Sequence, residues 1–174
     1  MARIPYADLA QPELGPLVER IVAGRGSVLH LYQMLLNSPA VASGWLAHLN
    51  GIRLQTRLPG ALRELIIMRV ALLNNAPYEA DQHAPIALKE GMAQAQLDDL
   101  PDWEHSTLFN ERERAVLAYT DAMTRTIQVP DAVFDALRSH YDNQELVEIT
   151  ATIATYNMVS RFLEALQIHS HDER

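Results

Sequence analysis

Residues 76–91, APYEADQHAPIALKEG, combine side chains that hold and release protons near neutral pH. Glu79 and His83 are four positions apart, so on a helix they share a face about one turn apart. Asp81 is rotated by roughly 200° from Glu79 and points elsewhere. A carboxylate and an imidazole on one face could carry out general acid–base catalysis.

A proline follows this pair closely. Pro85 cannot donate a backbone hydrogen bond to the carbonyl of Asp81, and its ring crowds that turn of the helix. We therefore expect the helix to bend just past His83. Backbone polar groups freed at a bend suit the wall of a pocket better than a packed helix interface.

Two other interpretations of Glu79 and His83 stay open. The pair could be solvated on the surface, where it would contribute about a few tenths of a kcal/mol. It could instead supply two metal ligands, but a zinc site needs at least a third protein ligand, and the sequence contains no HEXXH motif. We therefore predict no metal site.

Glu64 is unusual because its segment, ALRELIIMRVALL, is otherwise almost entirely apolar. A carboxylate in such a helix must be paired, protonated or open to a pocket. Arg69 is not at the spacing of an i, i+4 partner, so we expect the partner on another helix, with Arg161 as one candidate. A buried structural ion pair and a carboxyl group tuned for proton transfer both stay open.

The segment at 58–91, LPGALRELIIMRVALLNNAPYEADQHAPIALKEG, resembles the core motif of the carboxymuconolactone decarboxylase family, which includes the alkylhydroperoxidase D-type proteins. The family pattern has an acid early in a long apolar helix, a short break, and a second helix whose histidine precedes Lys/Arg-x-Gly. The matching positions are Glu64, the break at 74–77, His83, and Lys89 with Gly91.

The redox branch of this family looks like Cys-x-x-Cys-x-x-x-His. Counting back from His83, the two cysteine positions hold Ala76 and Glu79, and the chain contains no cysteine. Thiol-dependent peroxide reduction is therefore excluded. The decarboxylase branch tolerates a glutamate at the second position. This resemblance implies a lyase that decarboxylates a carboxylated lactone or enol acid without a cofactor, because the substrate's own carbonyl can accept the electron pair.

The resemblance also implies roles for individual residues. His83 would be the proton donor or the partner of the enolate, with Glu79 and Glu64 setting its protonation state. Tyr78 could supply a hydroxyl donor. Arg161 could bind the carboxylate of an anionic substrate bidentately, although a structural pairing with an acid is an open alternative.

Other functions use the same residues. An isomerase or hydratase with this acid–base set would have the same sequence pattern. A thiol-free relative of the peroxidase branch would retain the fold without the activity. A non-catalytic oligomeric protein could bind a small acid without transforming it.

Helical periodicity runs through nearly the whole chain and predicts an all-α protein of about eight helices. The length of 174 residues, with 48% hydrophobic and 21% charged residues, suits one globular domain spanning 1–174. The resemblance implies a multi-helix bundle of the alkylhydroperoxidase D-like type. It also implies homo-oligomeric rings, commonly trimers or hexamers.

Charge and hydropathy restrict the partners. A formal net charge of −8 without runs of Lys or Arg argues against nucleic acid. The most apolar segment, LIIMRVALL, is far shorter than the roughly 20 residues that span a bilayer. The first residues lack the apolar region of a secretory signal, so we expect a cytoplasmic protein. We expect His169 and His171 to lie in a frayed, solvated terminus.

Overall fold

The computed structural model describes residues 1–173, which form nine α-helices and no strand. The all-α prediction is confirmed. The helices are α1 (Gly15–Arg25), α2 (His30–Leu35), α3 (Pro39–Asn50), α4 (Gly60–Leu73), α5 (Pro77–Lys89), α6 (Gln94–Asp99), α7 (Glu111–Thr126), α8 (Asp131–Arg138) and α9 (Asn143–Leu166). Short 3-10 turns cover Pro12–Leu14 and Leu100–Asp102, and a π-helical turn covers Gly51–Gln55.

The chain divides into two compact units. The first contains Met1–Gln55 and the residues from Leu163 onward, and within it α1 and α2 pack against α3. The second, Thr56–Phe162, contains the packed pairs α4–α5, α4–α7 and α7–α8. The single domain at 1–174 stays a prediction. In the described part of the chain, no helix is both long and apolar enough to cross a membrane.

Helix α4 runs through the core of the second unit. Every side chain from Arg63 to Ala71 is buried, as expected of a helix that is apolar on almost every face. A core cluster contains side chains from α4, α5 and α7 and from the segments between α5 and α7. Its buried members are Leu65, Met68, Ala87, Met92, Leu100, Trp103, Phe109 and Leu117.

A short break separates α4 from α5. Asn75 has a φ of 51°, and the N–H of Ala76 donates to the carbonyl of Ala71 at 2.9 Å. Pro77 then begins α5, where its missing N–H costs nothing. Helix α5 continues through the exposed Pro85 to Lys89, and the bend just past His83 stays a prediction. The helix therefore carries Glu79 and His83 on the same continuous element.

The chain after α9 is hydrogen-bonded rather than frayed, which corrects the expected fraying around His169 and His171, although His171 itself is exposed to solvent. Ile168 is fully buried in the first unit. The carboxylate of Asp172 accepts hydrogen bonds from the Tyr6 hydroxyl at 2.7 Å and from the backbone N–H of His169 at 3.0 Å. These bonds fix the tail to the N-terminal segment, which the polar composition of the tail did not indicate.

Candidate active site

Helices α4 and α5 bring Glu64 and His83 into direct contact. Oε2 of Glu64 lies 2.6 Å from Nδ1 of His83. Glu64 is fully buried and His83 is 8% exposed, so the contact lies in a nearly dry environment. An ionised Glu64 fixes the imidazole tautomer with hydrogen on Nδ1, which leaves Nε2 as the ring nitrogen for a second partner.

Arg63 is the ion-pair partner of Glu64. Its Nε lies 3.2 Å from Oε1 of Glu64, and its Nη2 lies 3.6 Å from a carboxylate oxygen of Glu90. The expected partner of Glu64 on another helix is His83 on α5, whereas the candidate Arg161 instead contacts Asn157. Neighbouring residues on a helix do not usually face each other, which is why spacing alone did not identify Arg63.

Glu79 contacts a residue that the sequence analysis missed. The side chain of Glu79 is 1% exposed, and its Oε2 contacts the hydroxyl of Ser160 on α9. The same hydroxyl lies 2.9 Å from the carbonyl oxygen of Tyr156. Ser160 is itself fully buried. A hydroxyl within the apolar run of α9 was the signal available in the sequence.

Tyr156 connects the two halves of this cluster. Its ring meets the imidazole of His83 edge-on, with centroids 5.1 Å apart and an interplanar angle of 90°. Helix α9 therefore supplies Tyr156 beside His83 and Ser160 beside Glu79. Two carboxyl groups and one imidazole are held by three helices, an arrangement suited to moving protons inside a low-dielectric site.

The remaining predicted site residues lie in different surroundings. Tyr78 is 3% exposed in the first turn of α5. Arg161 is exposed, and its Nη1 donates to the backbone oxygen and to Oδ1 of Asn157, at 3.1 and 2.9 Å. The substrate-binding roles of Tyr78 and Arg161 stay predictions. Asp81 is exposed, as its rotation from Glu79 indicated.

Asn157 holds Arg161 in a wider polar network. Its Oδ1 also accepts from Asn74 at 3.0 Å, and its amide nitrogen donates to Oγ1 of Thr124 at 3.0 Å. The network joins the end of α4 to α7 and α9. Arg161 is therefore placed by α4 and α9, which also carry members of the buried cluster, together with α7.

Two hollows are lined by other residues. A groove of about 950 Å³ in the first unit is lined by residues 1–10, Gln33 and 171–173. A hollow of about 150 Å³ lies between Arg69, Asp121 and the residues around Trp103. Neither contains a predicted site residue. Within residues 1–173, no group of three or more His, Asp or Glu side chains is arranged to hold a metal ion.

Part of the chain matches a known protein family. Residues 39–122 match the sequence profile of the Carboxymuconolactone decarboxylase family, and this range contains Glu64, Glu79 and His83. This chain belongs to that family. The chain is 32% identical over 129 residues to the uncharacterized protein YnjA of Escherichia coli strain K12. That match covers 72% of this chain and 66% of YnjA.

Solved structures show the alkylhydroperoxidase D-like fold of this family member. One of them is an alkylhydroperoxidase AhpD core, an uncharacterized peroxidase-related protein from Ralstonia eutropha JMP134. It has a TM-score of 0.84 and 20% sequence identity, and the match covers 98% of this chain and 93% of that protein's chain. Protein Atu0492 of unknown function from Agrobacterium tumefaciens has a TM-score of 0.74 at 26% identity, covering 79% and 94%. The fold prediction is confirmed.

Proposed function

We propose that this protein is a cofactor-independent lyase that decarboxylates a small carboxylated lactone or enol acid by general acid–base chemistry. The observation that carries the proposal is the buried contact between Glu64 and His83, with Glu79 one turn away on the same helix face. The family to which the chain belongs is named after a decarboxylase, and this supports the same class of reaction.

Such a reaction makes three demands on the protein. It must hold the substrate carboxylate out of conjugation, stabilise the developing enolate, and return a proton to carbon. Fixed hydrogen-bond donors that stabilise developing charge usually make the largest contribution. Because Glu64 engages Nδ1 of His83, Nε2 is the nitrogen that would face the enolate oxygen, and it must itself carry a hydrogen to donate, so the reaction requires the imidazolium form of His83.

The burial of this cluster is costly for the fold. Moving Arg63, Glu64 and His83 out of water carries a desolvation penalty, and well-packed apolar residues often stabilise a core equally well. Buried ionisable groups with specific partners are therefore candidates for function. Glu64 is fully buried, so His83, which is 8% exposed, and Arg63, which is 9% exposed, are the members of this group that a substrate would reach.

Arg161 is the proposed anchor for the substrate carboxylate. The protein carries a net charge of −8, so an anionic substrate needs a local cation. Arg161 is exposed and immediately follows Ser160, which contacts Glu79. Its contacts with Asn157 orient the guanidinium group before substrate binds.

A non-catalytic role for the cluster is the alternative that burial favours. Glu64 and Glu79 have at most 1% of their surface exposed, as expected of a polar network that fixes three helices. The two functions differ in what a substitution changes. A structural network affects the free energy of unfolding, whereas a catalytic group affects turnover in a variant that remains folded.

Product analysis on a panel of carboxylated lactones and enol acids tests the proposal. His83→Gln should lower turnover by about 10²–10⁴-fold, the typical contribution of a positioned acid or base. His105→Gln is a matched control, because His105 forms the same type of contact with Asp102, at 2.7 Å, on the exposed surface. Undiminished turnover in folded His83→Gln would reject the catalytic assignment.

A further inference from the structure

The hydroxyl of Ser160 lies between two oxygen atoms, which restricts where hydrogens can be. Its Oγ contacts Oε2 of Glu79 and lies 2.9 Å from the carbonyl oxygen of Tyr156. A serine hydroxyl carries one hydrogen, and a carbonyl oxygen can only accept. When the hydroxyl donates to Tyr156, the contact with Glu79 requires a hydrogen on the carboxyl group.

Two further features favour a proton on Glu79. The side chain is 1% exposed, and burial disfavours the charged form of a carboxyl group. Arg63 and His83 both pair with Glu64, which makes Glu64 the ionised carboxylate of the cluster.

Three helices, α4, α5 and α9, carry the charged and ionisable groups of this part of the second unit. These are Arg63 and Glu64 on α4, Tyr78, Asp81 and His83 on α5, and Tyr156 and Arg161 on α9. Asp81 and Arg161 are exposed, so water screens their charges. The buried charges of Arg63, Glu64 and His83 are directed at one another.

We propose that Glu79 is a neutral carboxylic acid at neutral pH, that Ser160 accepts its hydrogen bond, and that Glu79 delivers the proton to the substrate carbon. The last step rests on the proposed function, whereas the protonation state of Glu79 depends on no substrate. Ser160 is then a positioning residue, and His83 with its ionised partner Glu64 serves the enolate oxygen. The two buried carboxyl groups thus have opposite roles.

The reaction balances with this assignment. The bond between the substrate carbon and its carboxylate breaks, CO₂ leaves, and the electron pair passes to the conjugated carbonyl to form an enolate. The enolate carbon then takes the proton of Glu79 while the carbonyl re-forms. Glu79 is left as a carboxylate and regains its proton from water.

Difference infrared spectroscopy of the full chain, without substrate, tests the protonation state. At neutral pH, the wild-type spectrum minus that of Glu79→Gln should contain the C=O stretching band of a protonated carboxyl group, which shifts in D₂O. Ser160→Ala should keep this band at a changed frequency, because the hydrogen-bond acceptor is lost. Glu64→Gln should remove a carboxylate band and leave the protonated band in place.

A missing protonated band, or one that survives in Glu79→Gln, would overturn the proposal. If Glu79→Gln does not fold, Ser160→Ala decides, because an unchanged frequency shows that the band does not belong to a carboxyl group bonded to Ser160. Circular dichroism establishes which variants are folded. Failure of the proposed function is separate, since a protein that turns over no lactone or enol acid can still show the band.

Once a substrate is turned over, the stereochemistry of protonation tests the catalytic step. In D₂O, the wild-type protein should place deuterium on one face of the product carbon. Folded Glu79→Gln should lose this face selectivity, because water then protonates the enolate. Retained selectivity in Glu79→Gln would overturn the role of Glu79 as the proton donor.

Discussion

The carboxylate of Glu64 and the imidazole of His83 meet at 2.6 Å inside the second unit, where neither side chain has more than a tenth of its surface exposed. The two residues come from different helices, 19 positions apart in sequence. Their contact therefore forms only when α4 and α5 are packed together. Arg63 completes the arrangement by pairing with the other oxygen of Glu64.

Removal of the charge on Glu64 should destabilise the protein because it leaves Arg63 buried without its main counter-charge. We expect Glu64→Gln to lower the free energy of unfolding by about 3–5 kcal/mol, measured by urea denaturation. Arg63→Gln in the same chain should restore part of this loss. Asp135→Asn is the control, because Asp135 forms an exposed ion pair with Arg138, and it should lower the free energy of unfolding by less than about 1 kcal/mol. A Glu64→Gln protein as stable as the wild type would contradict the prediction.

The sequence was sufficient for the features that depend on local pattern. The apolar residues on almost every face of α4 indicated a buried helix, and Asn110 followed three residues later by Glu113 is the sequence pattern of the capping box that begins α7. Both bonds of that box are present, at 3.0 and 2.9 Å. Glu79 and His83 also lie on one helix, as their i, i+4 spacing predicted, because this relationship depends on α5 alone.

Features that depend on tertiary contacts could not be predicted from the sequence. Ser160 meets Glu79 from 81 positions away, and no spacing rule connects them. Arg69 was recognised as a charge in an apolar helix, but its partner is Asp121, which it contacts with two bonds of 2.6 Å. Nothing local distinguished Asp121 from the other acids of the chain, because pairing between helices depends on how the helices pack.

Ile127 has an unfavourable backbone conformation that a substitution should relieve. It is a β-branched residue with a φ of 66° after α7, and 81% of its surface is exposed. A left-handed conformation costs roughly 1–2 kcal/mol for a residue with a Cβ atom, and little packing is lost at so exposed a site. We expect Ile127→Gly to raise the free energy of unfolding by about 1 kcal/mol. As a control, Gln128→Gly should lower the free energy of unfolding. A lower free energy of unfolding in Ile127→Gly would contradict the prediction.

Self-assembly should depend on the exposed face of α9. Val147 and Met158 are 68% and 38% exposed, and their spacing places them on the same helix face. Apolar residues on one face suit contact with another copy of the chain, in keeping with the proposed trimer or hexamer. We expect Val147→Glu to reduce the sedimentation coefficient at micromolar concentration. Gln144→Glu, near the start of α9, is the control and should leave the sedimentation coefficient unchanged. A wild-type protein that sediments as a monomer would contradict the predicted assembly.

Acid sensitivity should trace in part to Asp142, which caps α9. Its carboxylate accepts the N–H of Glu145 at 2.9 Å, and this bond is the main cause that lowers the pKa of Asp142, with a smaller contribution from the charge of Arg57. A lowered pKa in the folded state gives stability that is present above the unfolded value, about 3.9, and is lost as the pH falls through the folded value.

Asp142→Asn keeps a capping side chain but cannot titrate, so it isolates this effect. The stability advantage of the wild type over Asp142→Asn, measured by urea denaturation across a pH series, should narrow as the pH falls below about 4. Arg57→Gln should reduce the pH dependence less than Asp142→Asn does, because the backbone bond from Glu145 remains. An advantage that stays constant down to the acid limit would show that the charge of Asp142 does not contribute.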